Sequence, residues 1–317
     1  MVEAHLTGIF PRSEELVQAT RASVRKNISE TDLEAAFSHD LVALAQLQSD
    51  CGLDYVVDGQ LNWQDLFRPF SELFTGITLG SLTRWFDNNA FYRKPIIVDK
   101  ITFTHANFQK YFRSSLLPPS APKKAILPGP FTLAAMSQNA AYGSLADLVD
   151  DLAHTLRQIV AELRRSGYGF VQFDEPALSE KGRTKSELEI GQHAFEICAK
   201  GMGVKTSLQT YFGDVGPAID ALLNYQVDCV GVDFYSTSVD ALREYSFSKE
   251  LGCGCIDGRN SLLESPEDLT GFVKRVRSDL EPKSLAICPN SDLQFLPSPI
   301  AEKKVRMLAE AKRKLEA

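Results

Sequence analysis

Two adjacent carboxylates at the end of a predicted buried strand are the residues in this chain best placed to do chemistry. Asp174 and Glu175 follow the apolar run 170–173 and precede Pro176. Such a run predicts a strand buried on both faces, which the proline ends. Because successive side chains on a strand point in opposite directions, only one of the two acids can face a site. We expect Asp174 to act there in acid–base catalysis or to bind a cationic group, and Glu175 to brace the loop.

Most of the other predicted strands also end in polar residues. These clusters lie at 58–60, 128–132, 207–211, 233–236, 257–260 and 288–292. Each could be turn chemistry alone, because Asp-Gly and Pro-Asn pairs are common in turns. In parallel α/β folds, however, the carboxyl ends of the strands converge on the ligand. The pattern therefore predicts a pocket in which Asp174 and Asp233 are the candidate catalytic acids.

Strand-like runs alternate with amphipathic helical stretches along most of the chain. The predicted strands are Leu6–Phe10, Tyr55–Asp58, Lys124–Leu127, Phe170–Asp174, Lys205–Tyr211, Cys229–Tyr235, Cys253–Asp257 and Leu285–Cys288. The predicted helices cover 31–50, 143–167, 185–201, 215–225, 266–280 and 299–316. Ser144 and Ser265 stand three residues before acids, which is typical of helix N-caps.

Eight strands, mostly followed by helices, predict an α/β fold of the (β/α)8 barrel type, with a doubly wound open sheet as the alternative. The absence of repeats or low-complexity linkers favours one domain over residues 1–317. Residues 76–112 do not fit the bare barrel and predict an inserted β excursion after the second strand. Pro95–Val98 and Ile101–Thr104 look like its arms. A loop this long predicts either a lid over the strand ends or a packed hairpin without a role in the site.

Composition restricts the class of protein. Of the 317 residues, 44% are hydrophobic and 24% are charged, with a formal net charge of −7. No basic run indicates nucleic-acid binding, and no apolar stretch reaches the length of a membrane span. The first residues lack a basic-then-apolar signal pattern. The six scattered cysteines predict reduced core thiols and a cytoplasmic location.

The order of the motifs resembles the catalytic C-terminal barrel of cobalamin-independent methionine synthase, and more closely the short single-barrel versions of that family. The resemblance covers the whole chain and rests on Thr7–Arg12, Gly52–Asp54 with Asp58–Gln60, Arg84–Asn89 with Tyr92-Arg93, Pro128–Thr132, Gln172–Leu178 and Gly254–Asn260. It implies a barrel enzyme that transfers a methyl group to the thiol of homocysteine. In the family, a zinc ion binds that thiol and holds it as the nucleophilic thiolate.

All four positions that hold zinc in the family are substituted here. Ser207 and Gln209 stand in place of the His-x-Cys pair, Asp233 replaces a glutamate and Ser291 replaces the last cysteine. Serine and glutamine oxygens are poor zinc ligands compared with imidazole and thiolate. One carboxylate cannot make a site of three or four ligands. We therefore expect no bound metal.

The part of the pocket that binds the amino-acid substrate in the family is also altered. Asp174 is retained, but the glutamate that shares the ammonium group is Gln60, and the serine of a Gly-Ser turn is Ile9, after Gly8. Loss of one carboxylate partner removes a charge-assisted hydrogen bond worth about 1.5–3 kcal/mol. Homocysteine is thus a doubtful substrate, and Gln60 suits a neutral polar group.

Two classes of function follow. The first is a zinc-independent enzyme that acts on a small polar metabolite. It would transfer a methyl or one-carbon group from a folate or corrinoid donor, with a corrinoid protein as a candidate partner, or act as a metal-free lyase or decarboxylase. The second is a non-catalytic metabolite-binding paralogue. The residues expected to bind the substrate are Gly8, Ile9, Gln60, Trp85, Asn88, Arg93, Ser207, Gln209, Tyr235, Asp257, Arg259 and Ser291.

Overall fold

A seven-stranded, all-parallel sheet forms the centre of the protein. The computed structural model describes residues 2–317. The strands in spatial order are β1 (Val2–Ala4), β10 (Ser284–Pro289), β9 (Glu250–Ile256), β8 (Cys229–Asp233), β7 (Lys205–Gln209), β6 (Tyr168–Asp174) and β4 (Lys123–Pro128). The buried hydrophobic residues on these strands and on the surrounding helices form one contiguous core cluster. The sheet therefore brings the carboxyl ends of seven strands to one edge of the fold.

The helices connect the strands and cover the sheet. They are α1 (Glu14–Val24), α2 (Glu30–Asp50), α3 (Phe70–Leu73), α4 (Phe108–Tyr111), α5 (Pro130–Ala135), α6 (Leu145–Arg165), α7 (Lys185–Cys198), α8 (Ile219–Leu223), α9 (Pro266–Leu280) and α10 (Ser298–Glu316). The N-caps predicted at Ser144 and Ser265 are confirmed: each side chain accepts the backbone N–H three residues later. None of the helices in residues 2–317 is long and apolar enough to cross a membrane.

The first two strand predictions are wrong, because neither segment forms a regular strand. The chain is extended in a strand at Val2–Ala4 and not at Leu6–Phe10. The backbone N–H of Ile9 donates to the side chain of Asp292 (3.0 Å), not to a neighbouring strand. Within Tyr55–Asp58, only Val56 makes a bridge, to Lys123 of β4. An apolar pattern cannot by itself show whether backbone groups pair with a strand or with a side chain.

A second, three-stranded sheet contains most of the region 76–112. The strands β2 (Phe74–Arg84) and β3 (Phe91–Phe103) are antiparallel, and the short β5 (Gln138–Asn139) adds to β3 in parallel. The two predicted arms were wrong, because Pro95–Val98 and Ile101–Phe103 both lie in β3. The true partner of β3 is β2. The turn between these strands carries Trp85 and Asn88 to the carboxyl edge of the large sheet.

The burial of Lys124 differs from what the sequence indicates. The sequence pair Lys123-Lys124 begins a strand and indicates solvated side chains at the far end of the sheet, yet Lys124 is only 1% exposed. Its register partner on β6 is Phe170, and its ammonium group lies 4.8 Å from the centre of that ring. All six cysteines are free and buried, as the sequence predicts.

Candidate active site

Asp174 ends β6 as a fully buried carboxylate with defined partners. The Gln172 side-chain amide donates to one carboxylate oxygen (2.6 Å), and the Tyr211 hydroxyl donates to the other (3.3 Å). Burial, with a further contribution from the negative charge of Asp292, raises the pKa of Asp174 well above its usual range. The carboxyl group therefore holds a proton more readily than the carboxyl group of an ordinary aspartate.

Asp292 lies in the loop after β10 and is a site residue that the sequence analysis missed. It accepts the Ile9 backbone N–H (3.0 Å) and the Gln294 side-chain amide (2.8 Å). Burial raises its pKa to about 6. Like charges disfavour each other when they are buried, so the state in which one of Asp174 and Asp292 is protonated is favoured over two full negative charges. Asp292 belongs to the polar cluster 288–292 at the end of the last predicted strand, but only Ser291 of that cluster was considered, as a zinc position of the family.

Gly8 lets the Asp292 carboxylate approach the loop after β1. A Cβ atom at Gly8 would lie 1.6 Å from an Asp292 carboxylate oxygen. We expect Gly8→Ala to displace Asp292 and to lower the free energy of unfolding by about 1–3 kcal/mol. Gly271→Ala on α9 is the matched control: no atom lies within 4 Å of its added Cβ, so this helix substitution should stabilise or be neutral. Equal urea midpoints for the two variants would contradict the assigned contact.

Glu175 points away from Asp174, as the alternation along a strand predicts. Its carboxylate accepts the backbone N–H groups of Phe131 (2.9 Å) and Thr132 (2.7 Å) in the first turn of α5. The expectation that Glu175 braces a loop is therefore confirmed. A Cβ atom at Gly129 would lie 2.1 Å from this carboxylate, so Gly129 allows the close approach.

Asp233 is held by the loop after its strand. Its oxygens accept the backbone N–H groups of Phe212 (3.1 Å) and Tyr235 (3.0 Å). They also accept the Ser236 hydroxyl (2.8 Å) and the Asn290 side-chain amide (2.9 Å). These four bonds fill a carboxylate's capacity of about four lone-pair sites.

The other positions that hold zinc in the family are buried and carry neutral side chains. The Gln209 amide donates to the carbonyls of Thr210 (3.2 Å) and Asn290 (3.4 Å). Ser291 donates to the side-chain oxygen of Asn290 (3.3 Å), and the Ser207 hydroxyl is buried without a partner. Within residues 2–317, no three side chains of His, Cys, Asp or Glu type are grouped so that they could hold a metal ion.

Gln60 and the turn after β2 lie at the same edge of the fold. The Gln60 amide nitrogen donates to the Ile126 carbonyl (3.3 Å), whereas its buried side-chain oxygen has no partner. Trp85 and Asn88 are buried, and the Arg259 guanidinium contacts the Asn88 side-chain oxygen at 3.5 Å. Arg259 also lies over the ring of Phe212, 5.0 Å from its centre.

Three of the residues predicted to bind the substrate make no hydrogen bond in the network around Asp174. Arg93 donates to the Gly80 carbonyl across the β2–β3 pair (3.2 Å). Tyr235 is 48% exposed, and its hydroxyl bonds to the Cys255 carbonyl. Asp257 accepts the backbone N–H of Arg259 within its own turn (2.9 Å). None of the three is hydrogen-bonded to Asp174, so their assignment to the substrate remains a prediction.

An open cleft of about 920 Å³ lies beside the carboxyl ends of β6 and β7. Its walls include Phe86, Arg183, Tyr211, Phe212 and Asp214. Phe86 from the β2–β3 turn and Phe212 pack with ring centres 6.0 Å apart. Both residues have left-handed backbone conformations (φ 48° and 67°), which cost energy for side chains of this size. Tyr211 lines this cleft and its hydroxyl donates to Asp174, so Tyr211 connects the cleft with Asp174.

Comparisons with known proteins agree with this architecture. A family model described as "Cobalamin-independent synthase, N-terminal domain" matches residues 75–281, although the sequence motifs resemble the family's C-terminal barrel. Methionine synthase from Saccharolobus solfataricus is 28% identical over 308 residues, which cover 96% of this chain and 91% of that protein. Methionine synthase from Sulfurisphaera tokodaii is 26% identical over 300 residues, covering 94% and 88%.

Solved structures show the same fold. A B12-independent methionine synthase from Shewanella sp. W3-18-1, in complex with selenomethionine, has a TM-score of 0.81 at 18% identity and covers 99% of this chain and 97% of that one. A protein from Listeria monocytogenes, described as a putative vitamin-B12 independent methionine synthase, has a TM-score of 0.79 at 14% identity and covers 99% of both chains. The chain belongs to the cobalamin-independent methionine synthase family, and it is a methyltransferase-like enzyme of that family.

Proposed function

We propose that this protein is a zinc-independent enzyme that transfers a methyl or one-carbon group to a small polar metabolite. The donor would be a methylated folate or a methylated corrinoid, and in the second case a corrinoid protein could present it. The observation that carries this proposal is Asp174, a buried carboxyl group next to Asp292 that is bonded to the cleft residue Tyr211. Family membership supports methyl transfer as the reaction class.

The side chains at the family's zinc positions do not fit zinc. Ser207, Gln209 and Ser291 offer neutral oxygens, which bind zinc poorly. The carboxylate of Asp233 already accepts four hydrogen bonds, so a metal ion would have to displace several of them. We therefore derive no step through a metal, and we assign Asp233 the task of holding the loop after β8 beside the site.

Asp174 can supply the proton transfer that such a reaction needs. An acceptor that carries a proton must lose it when the methyl group bonds to it. A carboxylate with a raised pKa is a stronger base than an ordinary aspartate, and general-base assistance of this kind contributes about 10²–10⁴-fold in rate. Gln60 and Ser207 have buried oxygens without partners, which can position a polar substrate by hydrogen bonds.

The cleft offers room for the donor. Its volume of about 920 Å³ lies within the range of small-molecule sites, roughly 300–1,000 Å³. Phe86 and Phe212, whose rings contact each other at its wall, would cover a flat ring system. We also propose that residues 54–57 close the sheet into a (β/α)8 barrel, and that β2 and β3 are an insertion that covers its mouth. The Asp54 N–H donates to the Ala4 carbonyl, and Val56 pairs with β4, which supports this closure.

A metal and activity measurement tests this function. We expect protein purified without chelator to contain far less than one zinc per chain. It should demethylate methylcobalamin or a methylated tetrahydrofolate in the presence of an acceptor from a panel of small thiols, amines and carboxylates. About one zinc per chain, lost together with activity on chelation, would contradict the zinc-independent reaction. A bound metabolite that stays unchanged over hours in the presence of both donors would contradict catalysis.

A further inference from the structure

Lys124 is a buried ammonium group beneath the candidate site, and all its hydrogen-bond donors have partners. It donates to the Gln172 side-chain oxygen (2.6 Å) and to the Leu6 carbonyl (2.8 Å), and it contacts the His5 ring nitrogen Nδ1 (2.9 Å). Burial and the nearby Lys124 charge lower the pKa of His5 well below its usual range, so its ring is neutral and Nδ1 accepts. Burial lowers the pKa of Lys124 to about 8, which leaves it mostly protonated at neutral pH.

The contact with Lys124 determines which way the Gln172 amide faces. An ammonium group has only donors, so the amide atom that faces it must be the oxygen. The amide nitrogen then faces the other way and donates to the Thr7 carbonyl (2.7 Å) and to Asp174 (2.6 Å). In the flipped orientation, the amide oxygen would face a carbonyl and a carboxylate, and the amide N–H groups would face the ammonium.

This orientation also determines how Asp174 is presented. One carboxylate oxygen is bonded toward the interior by Gln172, and the other is left with Tyr211 on the side of the cleft. The charged and titratable groups around the pair are Lys124 on β4, Asp292 after β10 and Tyr211 after β7. Lys124 is the cation that offsets the negative charge of Asp174, and the Gln172 amide is its hydrogen-bonded link to that carboxyl group.

We propose that Lys124 is a positioning residue of this enzyme, which holds the Gln172 amide in the orientation that directs Asp174 toward the cleft. The proposal rests on the proposed role of Asp174 and deepens it. Lys124 is not among the residues that line the cleft, and its hydrogen-bonded link to Asp174 runs through a single side chain. The alternative is that Lys124 only fills the interior of the sheet.

Double-mutant cycles in urea unfolding separate these two roles without any substrate. We expect Lys124→Met and Asp174→Asn to be non-additive in their shifts of the unfolding midpoint, because one removes the ammonium group and the other the carboxylate charge at the two ends of the same hydrogen-bonded chain. In a Gln172→Met background, this coupling should shrink to what the direct electrostatic attraction between Lys124 and Asp174 supplies, and an undiminished coupling would show that Gln172 does not transmit the effect. Additive shifts with Gln172 present would overturn the proposal. If Lys124→Met does not fold, Lys124→Gln, which removes the charge and keeps a polar group, runs through the same cycle.

Lys304 provides the matched control. Its side chain is equally buried and bonds to Glu264 (2.7 Å), and it makes no hydrogen bond to Asp174 or Gln172. Lys304→Met should destabilise the protein, remain additive with Asp174→Asn, and lower the rate of methylcobalamin or methylfolate demethylation less than Lys124→Met does. Lys124→Met should lower that rate at least tenfold, the usual scale for a lost charge-assisted hydrogen bond. Equal rates for the two lysine variants would overturn the positioning role. A wild-type protein without transfer activity would contradict the proposed function but leave the unfolding cycles interpretable.

Discussion

Asp174→Asn is expected to lower the rate of methyl transfer by about 10²–10⁴-fold, the range that a positioned acid–base group contributes. Asparagine keeps the shape of the side chain and one oxygen that can accept from Gln172 or Tyr211, but it cannot exchange a proton. The measurement is the initial rate of donor demethylation with saturating acceptor, together with the urea midpoint of each variant.

The folded state should tolerate this substitution. Asp174 is a fully buried acid beside Asp292, and burial together with that neighbour raises its pKa. Replacing it with a neutral amide removes a like-charge interaction at the same time as it weakens one hydrogen bond. We therefore expect a small change in the unfolding midpoint, and loss of activity without loss of structure.

Asp228→Asn is the matched control for this prediction. Asp228 lies at the opposite end of the sheet, where it accepts the backbone N–H (2.8 Å) and the hydroxyl (3.0 Å) of Thr206. Its replacement should cost stability and leave the rate of transfer nearly unchanged. A rate for Asp174→Asn within tenfold of the wild-type rate would show that another group handles the proton.

The sequence predicts the later strands well because their patterns depend on local composition. β6 to β10 contain the predicted runs or end within a few residues of them, and the role of Glu175 follows from the alternation of side chains along β6. The same alternation cannot tell which of Lys123 and Lys124 points inward, because both precede the apolar run. The burial of Lys124 and its contact with the Phe170 ring show that Lys124 is the inward residue.

The parts of the site that sequence reasoning missed depend on contacts between distant segments. Asp292 meets Ile9 over 283 positions, and Lys124 meets His5 over 119. Neither contact has a spacing that a linear pattern could reveal. Gln172 could have been found, since it precedes Asp174 by two residues and must share its face of the strand. Its role in orienting Asp174, however, depends on the contact between its amide oxygen and Lys124, which only the structure shows.

Glu175 gives rise to the largest expected effect on stability. It is fully buried, and two backbone N–H groups in the first turn of α5 depend on its carboxylate. In Glu175→Gln, the amide oxygen can accept from one of them, while the amide N–H₂ group faces the other. An unsatisfied buried donor costs about 1–3 kcal/mol, so we expect the free energy of unfolding to fall by at least this amount.

The free energy of unfolding that Glu175→Gln loses should depend on pH. The direction of this dependence follows from the raised pKa of Glu175 in the wild-type protein. Burial raises the pKa of Glu175 to about 7, above the 4.5 of an exposed glutamate. The folded protein therefore binds more protons than the unfolded chain between these pH values, and the contribution of Glu175 falls as pH rises through about 7. This decrease is on the order of 3 kcal/mol across the interval.

Glu175→Gln cannot titrate, so the stability difference between wild type and variant should be largest near pH 4.5 and should narrow toward pH 8. The measurement is the free energy of urea unfolding for both proteins at a series of pH values. Other buried acids, such as Asp58 and Asp292, titrate in both proteins and cancel in the difference. A difference that widens as pH rises would mean that the two N–H groups stabilise the ionised form more than burial destabilises it. The pKa of Glu175 would then lie below 4.5, and the ionised carboxylate would be the form that braces α5.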